Sequence, residues 1–158
     1  MAKMHSVSFS MIVLVAVFGG QAKGGGPCDK ADHVQLCQTA VKGATEPEAA
    51  LKAAIEHLIV ETERAREEAA KLGKMEPLDV CKTNFNDAIR GLKESLNHLK
   101  TKDKHSLKTK LSAALTFYVT CDDTLAEGRV VQLASDVLTT DAMLRQLAGV
   151  CLYLATLT

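Results

Sequence analysis

Residues 78–125 read LDVCKTNFNDAIRGLKESLNHLKTKDKHSLKTKLSAALTFYVTCDDTL, and the spacing of apolar residues along this stretch decides the fold. Its first half sets Leu78, Cys81, Phe85, Ala88, Leu92, Ser95 and Leu99 at alternating steps of three and four, which holds one stripe of an α-helix against a partner. Lys82, Asn86, Lys93 and Asn97 fill the other face, and Pro77 stands just ahead, in the one part of a helix that tolerates proline. The second half repeats the pattern with Leu107, Leu111, Ala114, Tyr118, Cys121 and Leu125, with Asp103 or Ser106 as candidate cap and Gly128 as candidate stop.

Cys81 and Cys121 fall on these two apolar stripes, 20 residues either side of Thr101 and its polar turn Lys100 to His105. In an antiparallel hairpin both helices rise by the same ~1.5 Å per residue, so equal arms bring the two cysteines to one height, facing each other. The spacing therefore predicts a bond between them. Closing that loop should contribute about 4 kcal/mol on the chain-entropy model.

Outward from this hairpin the helical period continues. Upstream, Leu51, Ile55, Leu58, Thr62, Ala65, Ala69 and Leu72 form a stripe that starts at Thr45, three residues before Glu48 in a candidate capping box, and stops at Gly73. Downstream, Val130, Leu133, Val137, Thr140, Leu144, Leu147, Cys151 and Leu154 form a fourth stripe, in which Thr139, Thr140 and Asp141 predict a kink or break. Hairpin turns of the Asn-Gly or Asp-Gly type and alternating β-branched runs are missing, so the expected class is all-α.

Ahead of the helices, Lys3 and His5 precede an apolar run from Val7 to Phe18, followed by the small residues Gly19, Gly20 and Ala22. The run is shorter than the roughly 20 residues of a membrane span and reads as a secretory signal peptide, residues 1–22, cleaved near Ala22. Residues 23–44 form an N-terminal extension and 45–158 a helical domain, with no membrane association after cleavage. Among the 19 basic and 19 acidic residues only Lys3 lies in the signal, so the mature chain carries 18 against 19, a net charge of −1. Such neutrality argues against nucleic acid as partner, because phosphate binding needs a clustered positive field. The lysines at 100, 102, 104, 108 and 110 are interrupted by Asp103 and read as a solvated face and turn.

Five cysteines in a secreted chain allow 15 ways of making two bridges with one thiol left over. With Cys81 and Cys121 paired by register, Cys28 and Cys37, with eight residues between them, are the natural second pair, closing a local helical turn or hairpin. Cys151 then remains as a free thiol among Leu147, Val150 and Leu154, where apolar surroundings suppress reactivity.

Nothing in the sequence specifies catalysis. His33, His57, His98 and His105 are scattered over separate elements without metal-ligand spacing, and the pairs Glu67–Glu68 and Asp122–Asp123 are what solvated helix faces carry. Composition favours a binding scaffold over an enzyme, with no cofactor and no metal. A helical carrier of a small apolar ligand is a rival reading, since the small seam residues Ala65, Ala69, Ala88 and Ala114 could border a cavity.

The segment from Leu78 to Ile89, then Leu111-Ser112-Ala113-Ala114-Leu115-Thr116 and Thr120-Cys121-Asp122-Asp123, resembles the plant invertase and pectin methylesterase inhibitor family. Cys28 and Cys37 are similar to the family's first disulfide pair, and the step from Cys81 to Cys121 matches its second. The resemblance implies an up-and-down four-helix bundle preceded by a short N-terminal helical hairpin with two disulfides. It further implies secretion to the plant cell wall, or apoplast, and a one-to-one complex that occludes the substrate cleft of pectin methylesterase or of an acid invertase. Family contacts with the enzyme map onto Asp87, Asp103, Thr120 and Asp123, whereas Thr83 replaces an acidic contact. The invertase inhibitors' Pro-Lys-Phe motif after the fourth cysteine is replaced here by Ala126-Glu127-Gly128-Arg129-Val130, which favours pectin methylesterase.

Overall fold

A computed structural model describes residues 25–158; the signal-peptide expectation for residues 1–22 lies outside the described residues. Five helices follow in order: α1 (Val34–Val41), α2 (Pro47–Lys71), α3 (Glu76–Lys100), α4 (Lys104–Glu127) and α5 (Ser135–Leu157), and no strand occurs among the described residues. The four long helices run up and down in a ring, α2 beside α3, α3 beside α4, α4 beside α5 and α5 closing on α2, while α1 packs against α2 and α5. Apolar stripes of the required period explain this arrangement, since each long helix must bury its stripe against two neighbours. All seven seam residues of α3 named above are buried, as are all six of α4.

Helix ends follow local chemistry. Pro47 takes the first helical position of α2, where its fixed φ and missing N–H cost nothing. That displaces the cap to Glu46, whose side chain makes no capping bond, so the Thr45–Glu48 capping box does not form. Helix α3 starts at Glu76, one residue ahead of Pro77, with proline in its first turn.

The fourth stripe departs most from its sequence reading. It begins at Ser135 instead of Val130, and the expected break at Thr139–Asp141 is absent from one continuous helix. The side chains that could have competed with the backbone are otherwise engaged. Thr139 Oγ1 donates to the carbonyl of Ser135 at 2.9 Å, Thr140 Oγ1 donates to Glu68 Oε2 on α2 at 3.0 Å, and Asp141 is buried in the seam. The chain breaks earlier, at residues 128–134, where Arg129 adopts φ +54° and the amides of Arg129 and Val130 bond back to Ala126 and Leu125, a Schellman ending.

Both predicted disulfides form: Cys28–Cys37 with Cα atoms 5.6 Å apart and Cys81–Cys121 at 4.6 Å. Cys151 is a free, buried thiol, and burial pushes its pKa far up, which keeps it neutral and inert.

Candidate functional site

The α3–α4 hairpin carries all four candidate contacts, and its turn is very short. Residues 101–103 alone separate the two helices, and Asp103 serves both. Its backbone N–H donates to the carbonyl of His98 at 2.9 Å and closes α3, while its Oδ1 accepts from the amide of Ser106 at 3.0 Å and caps α4. Hydrogen bonding from Ser106 to the ionised form, by its side chain and then its amide, holds the Asp103 carboxyl below its ordinary range, with smaller help from His98 and His105. The Lys110 ammonium of α4 pairs with Glu94 of α3 half-way up, which lowers the Glu94 pKa, and the Cys81–Cys121 bridge locks the far end.

On this hairpin the structure places the four candidate contacts at three levels. Asp87 sits half-buried on the edge of α3 and pairs with Arg90 on its own helix, 2.9 Å away. Thr120 and Asp123 are exposed on α4 near the disulfide. Thr120 Oγ1 donates to the carbonyl of Thr116 at 2.9 Å, which leaves its lone pairs free to accept from a partner. Thr83 of α3, exposed at the same end, uses its hydroxyl in the same way, donating to the carbonyl of Asp79 at 3.0 Å.

Asp103 stands apart. It lies at the opposite end of the hairpin, roughly 25 Å along α4 from Thr120 at ~1.5 Å per residue. A partner that touches Thr120 and Asp123 therefore reaches Asp103 only if it covers most of the length of the hairpin.

Among the described residues no group of three His, Cys, Asp or Glu side chains could hold a metal ion, and no helix is long and apolar enough to cross a membrane. The seam residues Ala65, Ala69, Ala88 and Ala114 are packed with at most 1% exposure, which makes them close-packing positions.

A family model described as plant invertase/pectin methylesterase inhibitor matches residues 27–154. This chain belongs to that family. No curated protein matches it. Among solved structures it is similar to a mutant form of a pectin methylesterase inhibitor from Arabidopsis, at 22% identity and a TM-score of 0.71, covering 82% of this chain and 92% of that one. A second pectin methylesterase inhibitor, from Arabidopsis thaliana, gives 21% identity and a TM-score of 0.65, covering 82% and 91%. At these identities the likeness establishes the fold, a helical bundle with its N-terminal segment.

Sequence reasoning missed one polar cluster. Asp141 of α5 is completely buried, and Arg145, one turn on, reaches toward both it and Asp122 of α4. The signal was present: Asp141 lies between Val137 and Leu144 at seam spacing, with an arginine four residues later. Its neighbours Thr139 and Thr140 make the same segment read as a cap.

Proposed function

We propose that the mature chain is a secreted proteinaceous inhibitor of pectin methylesterase, acting by one-to-one occlusion of the substrate cleft and performing no chemistry itself. The observation that carries this reading is the family match over residues 27–154. Two further points support it: the similar solved structures are pectin methylesterase inhibitors, and Ala126–Val130 replaces the Pro-Lys-Phe motif of the invertase inhibitors.

The α3–α4 hairpin supplies a rigid, largely polar face, and Asp87, Thr120 and Asp123 are the proposed contacts on it. A rigid face loses little conformational freedom on docking, which favours tight binding. Asp103 acts first as the hinge of this hairpin; with its carboxyl held below the ordinary range, it stays ionised in a mildly acidic wall. Any tightening of the complex between mildly acidic and neutral pH must then come from other groups. The signal reading of residues 1–22 supports delivery to the cell wall.

The test is a side-by-side assay of residues 23–158 against a plant pectin methylesterase and an acid invertase. A stoichiometric end point with the esterase and none with the invertase is expected. Inhibition of the invertase alone would reassign the target within the family, and inhibition of neither would reject the proposal. Charge reversal at the exposed Asp123, D123K, should weaken inhibition at least tenfold with an unchanged melting temperature.

A further inference from the structure

We propose that Asp141, Arg145 and Asp122 form a pH-sensitive latch between α5 and α4, closed when Asp141 holds a proton and loosened when it ionises. Asp141 has no exposed surface, and neither of its carboxyl oxygens has a hydrogen-bond partner among the described residues. Among the described residues the cation paired with it is Arg145, whose Nε is 3.5 Å from Oδ2, close enough to feel the charge but not placed to donate. The same guanidinium bonds across the helix pair, Nη1 to Asp122 Oδ2 at 3.1 Å.

One cation thus serves two carboxylates, of which one is buried. With Asp141 neutral, Arg145 and Asp122 balance and the cross-helix bond stands alone. With Asp141 ionised, the seam holds an uncompensated negative charge, and the guanidinium is drawn along its own helix, away from α4. Burial, opposed by Arg145 and reinforced by Asp122, pushes the Asp141 pKa up to about 7.

The other groups facing this seam do not supply the missing positive charge. From α4, the Tyr118 hydroxyl is buried and its pKa is raised, so it stays neutral. On α5 itself the Cys151 thiol is neutral for the same reason. From α2, Glu68 accepts from Thr140 and lies 3.7 Å from Arg64, which also pairs with Glu61. From the N-terminal segment, Asp32 and His33 line the same surface cleft as Arg145. Helix α3 does not pack against α5.

An acid whose pKa is higher folded than unfolded binds its proton more tightly in the native state. The stabilisation is therefore full below the ordinary value of 3.8, falls as pH rises, and is gone above about 7. This contribution makes the fold firmer at pH 5 than at pH 8, whichever enzyme it binds.

Melting curves of the mature chain between pH 5 and pH 8 test this beside D141N, an isostere of the protonated side chain. The wild-type midpoint should fall with rising pH, and D141N should exceed it by more at pH 8 than at pH 5. Parallel curves would overturn the latch. Should D141N not fold, the ¹³C resonance of the Asp141 carboxyl in the unmodified chain decides: a titration midpoint near 7 supports the latch and one near 4 overturns it. In D122N that midpoint should move to lower pH as Arg145 turns wholly to Asp141, and an unmoved midpoint would break the link to α4.

Discussion

The hydroxyl of Tyr118 on α4 lies 2.7 Å from Thr62 Oγ1 on α2, joining two helices that sit diagonally across the bundle and whose backbones do not lie side by side. Thr62 has one hydroxyl proton and gives it to the carbonyl of Leu58, also at 2.7 Å, so Tyr118 is the donor. Both side chains are fully buried, and the Tyr118 ring also meets Phe85 of α3 with centroids 6.3 Å apart. One side chain on α4 therefore ties α2 and α3 through the core.

Removing the donor alone isolates that bond. Y118F should destabilise by about 1 kcal/mol, since the ring contacts persist and Thr62 keeps its own acceptor. Y118A should cost about 3–5 kcal/mol by opening a cavity. Urea unfolding at neutral pH measures both, and equal losses would mean that the hydroxyl, not the ring, dominates.

The two disulfides should differ in worth because they close loops of different length, 40 residues against 9. On the chain-entropy model replacing Cys81 and Cys121 with alanine costs about 4 kcal/mol, and replacing Cys28 and Cys37 about 2.5 kcal/mol. Denaturant midpoints of the two double variants rank them. The reverse order would show that the local bridge acts on the folded state.

Gly128 is a glycine for room, not for backbone freedom. Its φ is −71°, allowed to any residue, yet a Cβ there would stand 2.4 Å from Pro77 Cγ at the start of α3. G128A should destabilise by about 1–3 kcal/mol by forcing α3 and α4 apart. Pairing it with P77A should recover part of the loss, and a double-variant cycle reads the coupling.

Asp103 gives a second, opposite pH signature. Its folded pKa is depressed, so its contribution is present above the unfolded value and is lost as pH falls through the folded one, in the acid range below about 4. D103A should lose stability at pH 6 and differ less from wild type as the pH drops toward 2, while D103S should keep the cap. If D103S inhibits the target as well as wild type, the residue serves the hairpin and not the interface.

Much of this architecture was legible because helical period and loop length are local. The stripes of α3 and α4, the Asp103 cap and the matched heights of Cys81 and Cys121 follow from residue spacing and a constant rise. Proline at position 47 was equally visible, and its pull on the start of α2 could have replaced the capping box at Thr45. The candidate contacts were legible only as positions on a hairpin, since exposed Thr and Asp side chains carry no signal that separates a docking face from a solvated one.

What the tertiary structure alone decided concerns polar groups whose partners are far away in sequence. Thr139, Thr140 and Asp141 have the local chemistry of a helix end, but Glu68, 72 residues from Thr140, takes one hydroxyl, and packing against α4 buries the carboxyl, so α5 runs through. Tyr118 finds Thr62 across 56 residues for the same reason. A periodic pattern fixes which face of a helix turns inward, because that depends only on the backbone; what a side chain on that face meets depends on how four helices close into a ring.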